Sequence, residues 1–518
     1  MVTPGVTLIR GARVYDRAED VHKPPVRDVI VKGDRIASVS RPDALAEEKQ
    51  AIKQAAARAK TSDRVIDGDG MLLIPGLVNA HYHSYDVLSK GRFEDMPFDV
   101  WMLHSQPAYW GKRSQAELRA RTLLGAMECL RHGITTLQDM NSLVPQDEET
   151  LDTILAAYAE VGIRVVFSIA VRDVAALDME PFLPPGIPAD AGAIIAGKAG
   201  DPHADIAFVD AQIKRLHPLP SRMHWALSPS GPQRCSRPLL EGIAELSERY
   251  WLPVTTHVYE TRAQLAKARS VYPQHEGSLI NYMDAVGLLT PRTSICHSVY
   301  ITRAEIEQLA RAGAGVVHNP LSNLKLKNGV APLLDIKRAG INLALGCDNC
   351  SCSDCQNLFQ AMKAFTLFCA GMDGEPTGVH ASDAIEAATL GGARALGLGG
   401  EIGEVRAGMK ADLVLIDLSD FSYLPFNSAA RQLVYSETGR AVHTVLVDGK
   451  VVLENCRLAT IDEAEFRREL ADVMQIADRD YIALARRQGP AVSYLLEGNR
   501  ALTAAPLGLS RFVGGATN

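Results

Sequence analysis

Eight apolar, β-type runs alternate with longer helical stretches between residues 72 and 400, and this alternation limits the possible folds more than any other feature. Apolar runs joined by helices predict a parallel sheet built from βα units. Eight units in about 330 residues favour an α/β fold, a distorted (β/α)8 TIM-like barrel whose active site lies at the C-terminal ends of the strands. The runs are LLIPGLVNAH (72–81), GITTLQD (133–139), IRVVFSIAV (163–171), MHWALS (223–228), LPVTTH (252–257), TSICHS (293–298), AGVVH (314–318) and INLALGCD (341–348). A doubly wound sheet is the alternative, but no Gly-rich phosphate loop opens a helix after any run.

Short β-rich segments lie on both sides of this alternating region. Residues 6–40 alternate such segments with turn signals, and residues 411–454 repeat the pattern. We therefore expect both ends of the chain to form one small composite β-sandwich, with the barrel inserted between its halves. The predicted divisions are 1–71 for the N-terminal half with an exposed helical insertion at 43–63, 72–407 for the barrel, 408–460 for the C-terminal half, and 461–518 for a helical extension that begins as an amphipathic helix at 462–489.

The composition narrows the classes of function. Hydrophobic residues make up 47% and charged residues 22% of the 518 residues, as in an ordinary folded globular protein. The formal net charge of −7 provides no general basic surface for nucleic acid or an anionic membrane. The N-terminus lacks the pattern of a signal peptide, and no segment reaches the ~18 apolar residues of a membrane span. We expect a cytoplasmic homo-oligomer that acts on a small molecule.

The stretch GCDNCSCSDC, residues 346–355, permits two interpretations. Its four cysteines have the spacing C-x2-C-x-C-x2-C, and thiolates at such spacing can hold zinc or an iron–sulfur cluster. Alternatively, Asp348 ends the eighth run and the thiols pack as small hydrophobic groups. Local spacing does not decide between them. The cysteines are Cys347, Cys350, Cys352 and Cys355.

Other residues that can bind a metal lie at the ends of several runs. His81 and His83 form an H-x-H pair, and the alternation of a strand directs both imidazoles to the same side. The fifth run ends at His257, the sixth carries His297, and the eighth ends at Asp348. Strand ends converge on one rim of a barrel, so these side chains could share one ion. Three imidazoles and a carboxylate suit zinc or ferrous iron with a position left for water.

Six segments resemble the amidohydrolase superfamily, and within it the cytosine deaminase-like and triazine hydrolase-like branch of deaminases and chlorohydrolases. The resemblance implies a single-metal site in a distorted barrel flanked by a composite β-sandwich. The NPLSNLKL segment is the most specific of these signals, whereas H-x-H alone is weak. In chain order the segments are PGLVNAHYH (75–83), HVYET (257–261), CHSVYIT (296–302), HNPLSNLKLKNGVAPL (318–333), ALGCDN (344–349) and GEVRAGMKADLVLID (403–417).

The resemblance also implies a role for each matching residue. Glu260 matches the proton-shuttling glutamate of the H-x-x-E motif, His297 matches the histidine that hydrogen-bonds the attacking hydroxide, and Asp348 would also take the proton of the water. The cysteines would then be packing or loop residues. The implied ligands of one divalent ion, zinc or alternatively ferrous iron, are His81, His83, His257 and Asp348.

These roles predict a metal-dependent aminohydrolase that acts on an amino-substituted nitrogen heterocycle such as a purine, pyrimidine, pterin or triazine. An amine leaving group and a ring nitrogen both need the proton that Glu260 can supply. A second hydrolytic hypothesis keeps the site but releases chloride, an alkylamine or a carbamate or urea fragment. A third hypothesis, from another class, is a metal-free scaffold without catalysis. The intact set of candidate ligands argues against the scaffold.

Four further residues are candidates for substrate contact, and each has a structural role as its alternative. Trp101 could form an aromatic wall, Gln233 could pair with an amide or aminotriazine edge, and Arg234 could bind an anionic substituent. Asn323 follows the seventh run and could hold a substrate loop. Ser230 stands where many nucleoside and purine deaminases of this branch carry His or Cys, which predicts poor use of adenosine-type substrates.

Overall fold

The computed structural model describes residues 5–57, 63–175, 177–372 and 378–511. The strands within these ranges are β1 (Val6–Val14), β2 (Val26–Lys32), β3 (Arg35–Ser40), β4 (Arg64–Asp67), β5 (Met71–Pro75), β6 (Leu77–His83), β7 (Ile134–Asn141), β8 (Arg164–Val171), β9 (Met223–Trp225), β10 (Ser228–Pro229), β11 (Val254–Val258), β12 (Thr293–His297), β13 (Gly315–His318), β14 (Leu343–Leu345), β15 (Asp348–Asn349), β16 (Leu413–Asp417), β17 (Val442–Val447), β18 (Lys450–Glu454) and β19 (Arg457–Leu458).

The α-helices alternate with the barrel strands as the sequence predicts. They are α1 (Ala46–Ala57), α2 (Phe98–Ser105), α3 (Gln115–Arg131), α4 (Glu148–Val161), α5 (Ala189–Ala196), α6 (Pro202–Arg215), α7 (Arg237–Tyr250), α8 (Arg262–Val271), α9 (Leu279–Ala285), α10 (Arg303–Ala312), α11 (Pro320–Lys325), α12 (Leu333–Arg338), α13 (Cys350–Ser353), α14 (Leu358–Met372), α15 (Ala381–Ala387), α16 (Leu390–Ala395), α17 (Ala429–Tyr435) and α18 (Glu463–Ala504). No helix in the described ranges combines the length and the apolar character needed to cross a membrane.

The barrel strands pair in chain order and in parallel. Strand β6 pairs with β7, β7 with β8, and β8 with both β9 and β10. A bridge between Leu227 and Val254 leads to the sheet β11-β12-β13-β14. Strand β15 then returns to β6, where Asp348 pairs with Tyr82. The predicted α/β fold of parallel βα units is confirmed, and the C-terminal ends of all these strands lie on one rim.

The first predicted run, 72–81, belongs to two strands instead of one. The chain divides at Gly76, so that β5 joins the small sheet and β6 begins the barrel. A Cβ atom at Gly76 would lie 2.0 Å from the Thr135 hydroxyl oxygen, so only glycine permits this close passage. The fourth and eighth runs are also interrupted, into β9 and β10 and into β14 and β15.

Nine strands from both ends of the chain form the small sheet, in the order β19-β18-β17-β16-β5-β1-β2-β3, with β4 paired to β1. Its two halves meet where β5 and β16 run antiparallel and Pro75 faces Leu413. A buried ion pair joins this sheet to the barrel, because Arg164 of β8 donates to both Asp412 oxygens at 2.8 and 2.9 Å. Arg164 also contacts Asp448 at 3.0 Å.

The helical insertion is less exposed than the sequence predicts. Helix α1 packs on the sheet through Ile52 and through Lys49, whose ammonium lies 2.8 Å from the buried Asp28 carboxylate. This contact buries one face of the helix, which the Ala-, Lys- and Glu-rich composition did not indicate. Part of the predicted insertion, 58–62, lies outside the described residues. The predicted domain limits themselves stay a prediction.

The C-terminal extension is one 42-residue helix, α18, which continues past the predicted 462–489 and through Pro490. It contacts α2, α3, α5 and α8 of the barrel. The end of α18 and the segment after it follow the barrel surface, where Arg262 donates to the carbonyl oxygens of Leu502 and Leu509. Arg511 in turn donates to the Ile301 carbonyl. Residues 512–518 of the predicted extension lie outside the described residues.

Candidate active site

The four predicted metal ligands meet at the C-terminal rim of the barrel. The Nε2 atoms of His81 and His83 each lie 3.4 Å from Oδ1 of Asp348. Nε2 of His257 lies 3.4 Å from Nε2 of His83. The four side chains come from β6, β11 and β15, and all of them are buried. Residues far apart in sequence therefore surround one point.

Backbone geometry around β15 brings its carboxylate against the histidines. A Cβ atom at Gly346 would lie 2.3 Å from the Asn319 amide oxygen and 2.7 Å from Cβ of His81, so glycine is needed at this crossing. Asp348 has φ of 62°, a left-handed conformation that aspartate tolerates better than most residues. Ser322 donates to Oδ2 of Asp348 at 2.7 Å and fixes its orientation.

Hydrogen bonds from the far side of two imidazoles direct their remaining nitrogens inward. Nδ1 of His83 lies 2.6 Å from the Met140 carbonyl oxygen, and Nδ1 of His257 lies 2.5 Å from the Ser230 carbonyl oxygen. A carbonyl can only accept, so each Nδ1 donates and each Nε2 keeps its lone pair for the centre. Such outer hydrogen bonds are typical of metal-binding histidines.

The protonation and hydrogen bonding of this group fit a divalent cation. Both nitrogens of fully buried His81 lack a hydrogen-bond partner among the described residues. Burial lowers the pKa of His81, and burial together with His81 lowers that of His257. Burial alone would raise the pKa of Asp348, but contacts from His81 and His83 hold it well below its ordinary value. Burial opposes but contacts with Asp348 prevail in raising the pKa of His83. Imidazoles around a carboxylate are a donor set for zinc or ferrous iron.

Glu260 lies beside this group at the start of the segment leading into α8. Its side chain is 2% exposed, and Asn328 donates to its Oε1 at 3.2 Å. The same oxygen lies 3.8 Å from Nδ1 of His297. Burial, followed by the negative charge of Asp348, raises the pKa of Glu260 well above its ordinary value. Both causes favour the protonated form of this carboxyl group over the ionised one.

His297 completes the arrangement from the end of β12. Its Nδ1 lies 2.8 Å from Oδ1 of Asn323, and its Nε2 lies 3.8 Å from Oδ2 of Asp348. Burial lowers the pKa of His297 to about 4, so the imidazole is neutral. Because the Asn323 oxygen accepts from Nδ1, the lone pair of Nε2 faces the centre. A water molecule between His297 and Asp348 could donate a hydrogen bond to each of them.

A cavity with a free volume of about 390 Å³ opens above these residues. Trp101 and Arg234 line it, as predicted for substrate contacts, and the Trp101 indole is fixed by donating to the Ser351 hydroxyl at 2.8 Å. The described lining is His83, Tyr85, Phe98, Trp101, Met102, Gln106, Met140, Ser142, Ala170, Ser230, Arg234, His257, Glu260, His297, Asp348 and Asn349.

Two of the predicted substrate contacts lie behind this lining. Gln233 is fully buried, and its amide donates to Asp178 at 3.3 Å, so the structure directs it into the protein interior. Asn323 holds the His297 ring instead of facing the cavity. Ser230 lines the cavity, and its backbone carbonyl orients His257. Gln233 precedes Arg234 in a short 3-10 turn, Pro232–Arg234, in which Arg234 lines the cavity and Gln233 does not.

Sequence reasoning missed Asn328, Ser322 and Asp178. Asn328 and Ser322 lie within the HNPLSNLKLKNGVAPL segment, so their place beside Glu260 and Asp348 could have been inferred from that motif. Asp178 lies in the long connection between β8 and α5, where no local pattern marks it.

The cysteine-rich segment forms packing contacts around β15 and α13. Cys347, Cys350 and Cys352 are buried, and burial raises the pKa of all three thiols well above its ordinary value. The Cys352 thiol lies 3.1 Å from the Asn349 carbonyl oxygen. In the described part of the chain, the groups of side chains close enough to hold an ion contain histidine and carboxylate residues but no cysteine. These contacts favour the packing interpretation.

A protein-family model, that of the amidohydrolase family, matches residues 72–452 of this chain. This chain belongs to the amidohydrolase family. It is 33% identical over 413 residues to a 5'-deoxyadenosine deaminase of Methanothermobacter thermautotrophicus. The aligned region covers 79% of this chain and 88% of that protein. A 5-methylthioadenosine/S-adenosylhomocysteine deaminase of Moorella thermoacetica is 31% identical over 427 residues, covering 80% and 89%.

A solved structure extends the comparison to the whole barrel. An adenosine deaminase of Xanthomonas campestris with bound zinc matches this amidohydrolase with a TM-score of 0.74 and 27% identity, covering 93% of this chain and 99% of that one. The predicted superfamily and the predicted class of enzyme, a hydrolase of non-peptide carbon–nitrogen bonds, are therefore confirmed.

Proposed function

We propose that this amidohydrolase is a metal-dependent hydrolytic deaminase that releases ammonia from an amino-substituted nitrogen heterocycle, with a purine as the first candidate. One observation carries the proposal: the buried carboxyl of Glu260, whose pKa burial raises, lies within reach of His297 and Asp348 on the floor of the cavity. A proton held there suits an amine leaving group, which departs poorly without one.

Each residue on the floor would have a separate task. A divalent cation held by His81, His83, His257 and Asp348 would supply the Lewis acidity that makes water nucleophilic at neutral pH. Asp348, fixed by Ser322, would accept the proton of the attacking water. Neutral His297 would hydrogen-bond the oxygen through Nε2.

Glu260 would complete the reaction with two proton transfers. It would first protonate the ring nitrogen next to the attacked carbon. The carboxylate left behind would then take the remaining proton of the attacking oxygen and pass it to the departing amine, and the proton held by Asp348 would restore the acid form of Glu260. Asn328 holds Oε1 of Glu260 from one side, which leaves the other oxygen for the substrate. The products are ammonia and a ring carbonyl.

The named activities of the relatives favour a purine. Two deaminases of adenosine-type compounds each match about four-fifths of this chain. They weigh against the expectation, drawn from Ser230, that adenosine-type substrates are poor. The contact between Ser230 and His257 involves the Ser230 backbone carbonyl, so it does not depend on which side chain stands at position 230.

The decisive experiment is a product-resolved screen. Protein reconstituted with zinc or ferrous iron is offered aminopurines, aminopyrimidines, pterins and aminotriazines, together with chloro- and carbamoyl-substituted analogues, while ammonia, chloride and carbonyl products are followed separately. We expect ammonia from at least one aminated ring. Chloride or carbamate products without ammonia would contradict the deaminase and favour the alternative leaving groups. Inactivity of fully metallated protein across the panel would favour the scaffold hypothesis.

Zinc as the resident ion is part of the proposal, supported by the imidazole-rich donor set. Elemental analysis of protein purified without added metal would check it, and iron in place of zinc would contradict it. The homo-oligomeric state and the cytoplasmic location stay predictions, which light scattering and cell fractionation would check.

A further inference from the structure

A buried group of charges lies directly behind one wall of the catalytic cavity. The Arg234 cluster consists of Arg234, Asp178, Lys267 and Asp99, all buried. Nε and Nη2 of Arg234 donate to Oδ2 of Asp178 at 3.1 and 2.6 Å. The Lys267 ammonium lies 3.5 Å from the other Asp178 oxygen. One carboxylate thus holds two cations.

Asp99, the fourth member of the Arg234 cluster, does not fully neutralise the charge of the two cations. Asp99 lies in the first turn of α2, and its Oδ2 lacks a hydrogen-bond partner within the described ranges. Burial, followed by repulsion from Asp178, raises the pKa of Asp99 to about 7, so this carboxyl is only partly ionised at neutral pH. The cluster therefore carries excess positive charge in a buried place, where an uncompensated ion is costly.

Arg234 is the member that faces the substrate. It lines the cavity, and its guanidinium carbon lies 5.5 Å from the centre of the Phe98 ring, which lines the cavity as well. Asp178 occupies Nε and one hydrogen of Nη2, whereas no acceptor for Nη1 is present among the described residues. The remaining hydrogens form an end-on pair of the kind that binds a carboxylate.

The other carboxyl groups of the cavity are engaged elsewhere. Glu260 accepts from Asn328, and Asp348 faces His81 and His83. Neither forms an ion pair with Arg234 in the described part of the chain, so the guanidinium lacks a full counter-charge on its cavity side.

A second cleft, with a free volume of about 1390 Å³, adds charge of the same sign. Arg172, Lys198 and Arg487 line it, and its described lining contains no acidic residue. Arg172 lies two residues before Val174, whose amide donates to the Arg234 carbonyl oxygen at 3.1 Å. Burial, and then the charge of Arg234, lower the pKa of Arg172. Positive charge along such a surface raises the local concentration of anions.

We propose that Arg234, held by Asp178, binds an anionic substituent of the carboxylate class on the heterocyclic substrate. The proposal rests on the deaminase function above and names its substrate class. Arg234 would touch the substrate, whereas Asp178 would be a positioning residue that acts through Arg234. Lys267 would assist by sharing the Asp178 charge.

The test uses pairs of compounds that differ in charge but hardly in size. The pairs are adenin-9-ylacetic acid with adenin-9-ylacetamide, and pterin-6-carboxylate with pterin-6-carboxamide. We expect kcat/KM for ammonia release from at least one acid to exceed that from its amide by about 10- to 100-fold, the range for a charge-assisted hydrogen bond. In Arg234→Gln the ratio should approach one, and Arg234→Lys should retain part of it.

Two further variants separate binding from folding. In Arg234→Gln, Asp178 keeps Lys267 as a partner at 3.5 Å. Combining it with Asp178→Asn and Lys267→Met removes all three charges together, so the test stays valid if the single variant fails to fold. Arg237→Gln is the matched control, because Arg237 lies three residues away and pairs on the surface with Glu241. The control should keep the wild-type ratio.

Calorimetry with the same four compounds measures binding independently of turnover. Equal affinity of wild-type protein for acid and amide in both pairs, or an unchanged preference in Arg234→Gln, would overturn the inference whether or not ammonia is released. A preference for the acid that is lost in Arg234→Gln, without ammonia from any compound, would refute the deaminase and retain the anion site. Failure of every acid to bind would overturn the inference.

Discussion

Replacing Glu260 by glutamine removes one transferable proton and little else. The glutamine side chain has the same length, and its oxygen can accept from Asn328 as Oε1 of Glu260 does at 3.2 Å. Its amide group would occupy the place of the protonated oxygen and donate a hydrogen bond to the substrate. The lost step is proton transfer, for which we expect kcat to fall by about 10²- to 10⁴-fold. That fall corresponds to about 2.7–5.4 kcal/mol in activation free energy.

The assay compares steady-state ammonia release, metal content and thermal unfolding of both proteins on the best substrate of the screen. We expect KM and metal content close to those of wild type, because Glu260 is outside the proposed ligand set. Glu307→Gln, an exposed position on α10, is the control for a change of charge. Near-wild-type kcat in Glu260→Gln would refute the proton-shuttling role and favour a leaving group, such as chloride, that needs no acid. Loss of the metal would show that Glu260 supports the ion instead.

Three other predictions follow from the geometry. His83→Ala should lose the ion and the activity, whereas the double variant Cys350→Ser with Cys352→Ser should retain about one ion per chain by elemental analysis; the reverse result would assign the metal to the thiols. Arg164→Met should lower the free energy of unfolding by about 3–5 kcal/mol in urea, because it removes the ion-pair partner of the buried Asp412 carboxylate; an unchanged urea midpoint would contradict it. Burial alone would raise the pKa of Asp448, but its salt bridges with Lys410 and Arg164 prevail and lower this pKa to about 2. The stabilisation from Asp448 is therefore complete above its ordinary pKa and is lost as the pH falls towards 2, so the urea midpoint should fall more between pH 5 and pH 3 in wild type than in Asp448→Asn.

The floor of the site could be predicted from sequence because the chemistry lies on strand ends. Parallel strands of a barrel end on one rim, so finding His81, His257 and Asp348 at the ends of predicted strands was enough to bring them together. The same reasoning fails for residues in long connections. Asp178 approaches Arg234 only through the path of the segment between β8 and α5, and neither spacing nor periodicity encodes that path.

Element boundaries were hardest to predict where packing overrides local pattern. The apolar run around Gly76 reads as one strand, but a close approach to Thr135 lets it change sheets. A proline inside a helix usually ends or kinks it. Helix α18 nevertheless continues through Pro490 while it lies against other helices of the barrel. In both places the deciding contact comes from a distant part of the chain.

The meeting of β5 and β16 gives the chain a particular order of assembly on the ribosome. The strands β1–β5 emerge first, whereas β16 is translated only after every barrel strand, a delay of tens of seconds at ordinary rates of synthesis. During that interval β5 has an unpaired edge, and such edges recruit other chains. The nascent protein is therefore most prone to aggregation before residue 413 is made. Production at low temperature or with abundant chaperones should raise the soluble yield more than any change at the active site.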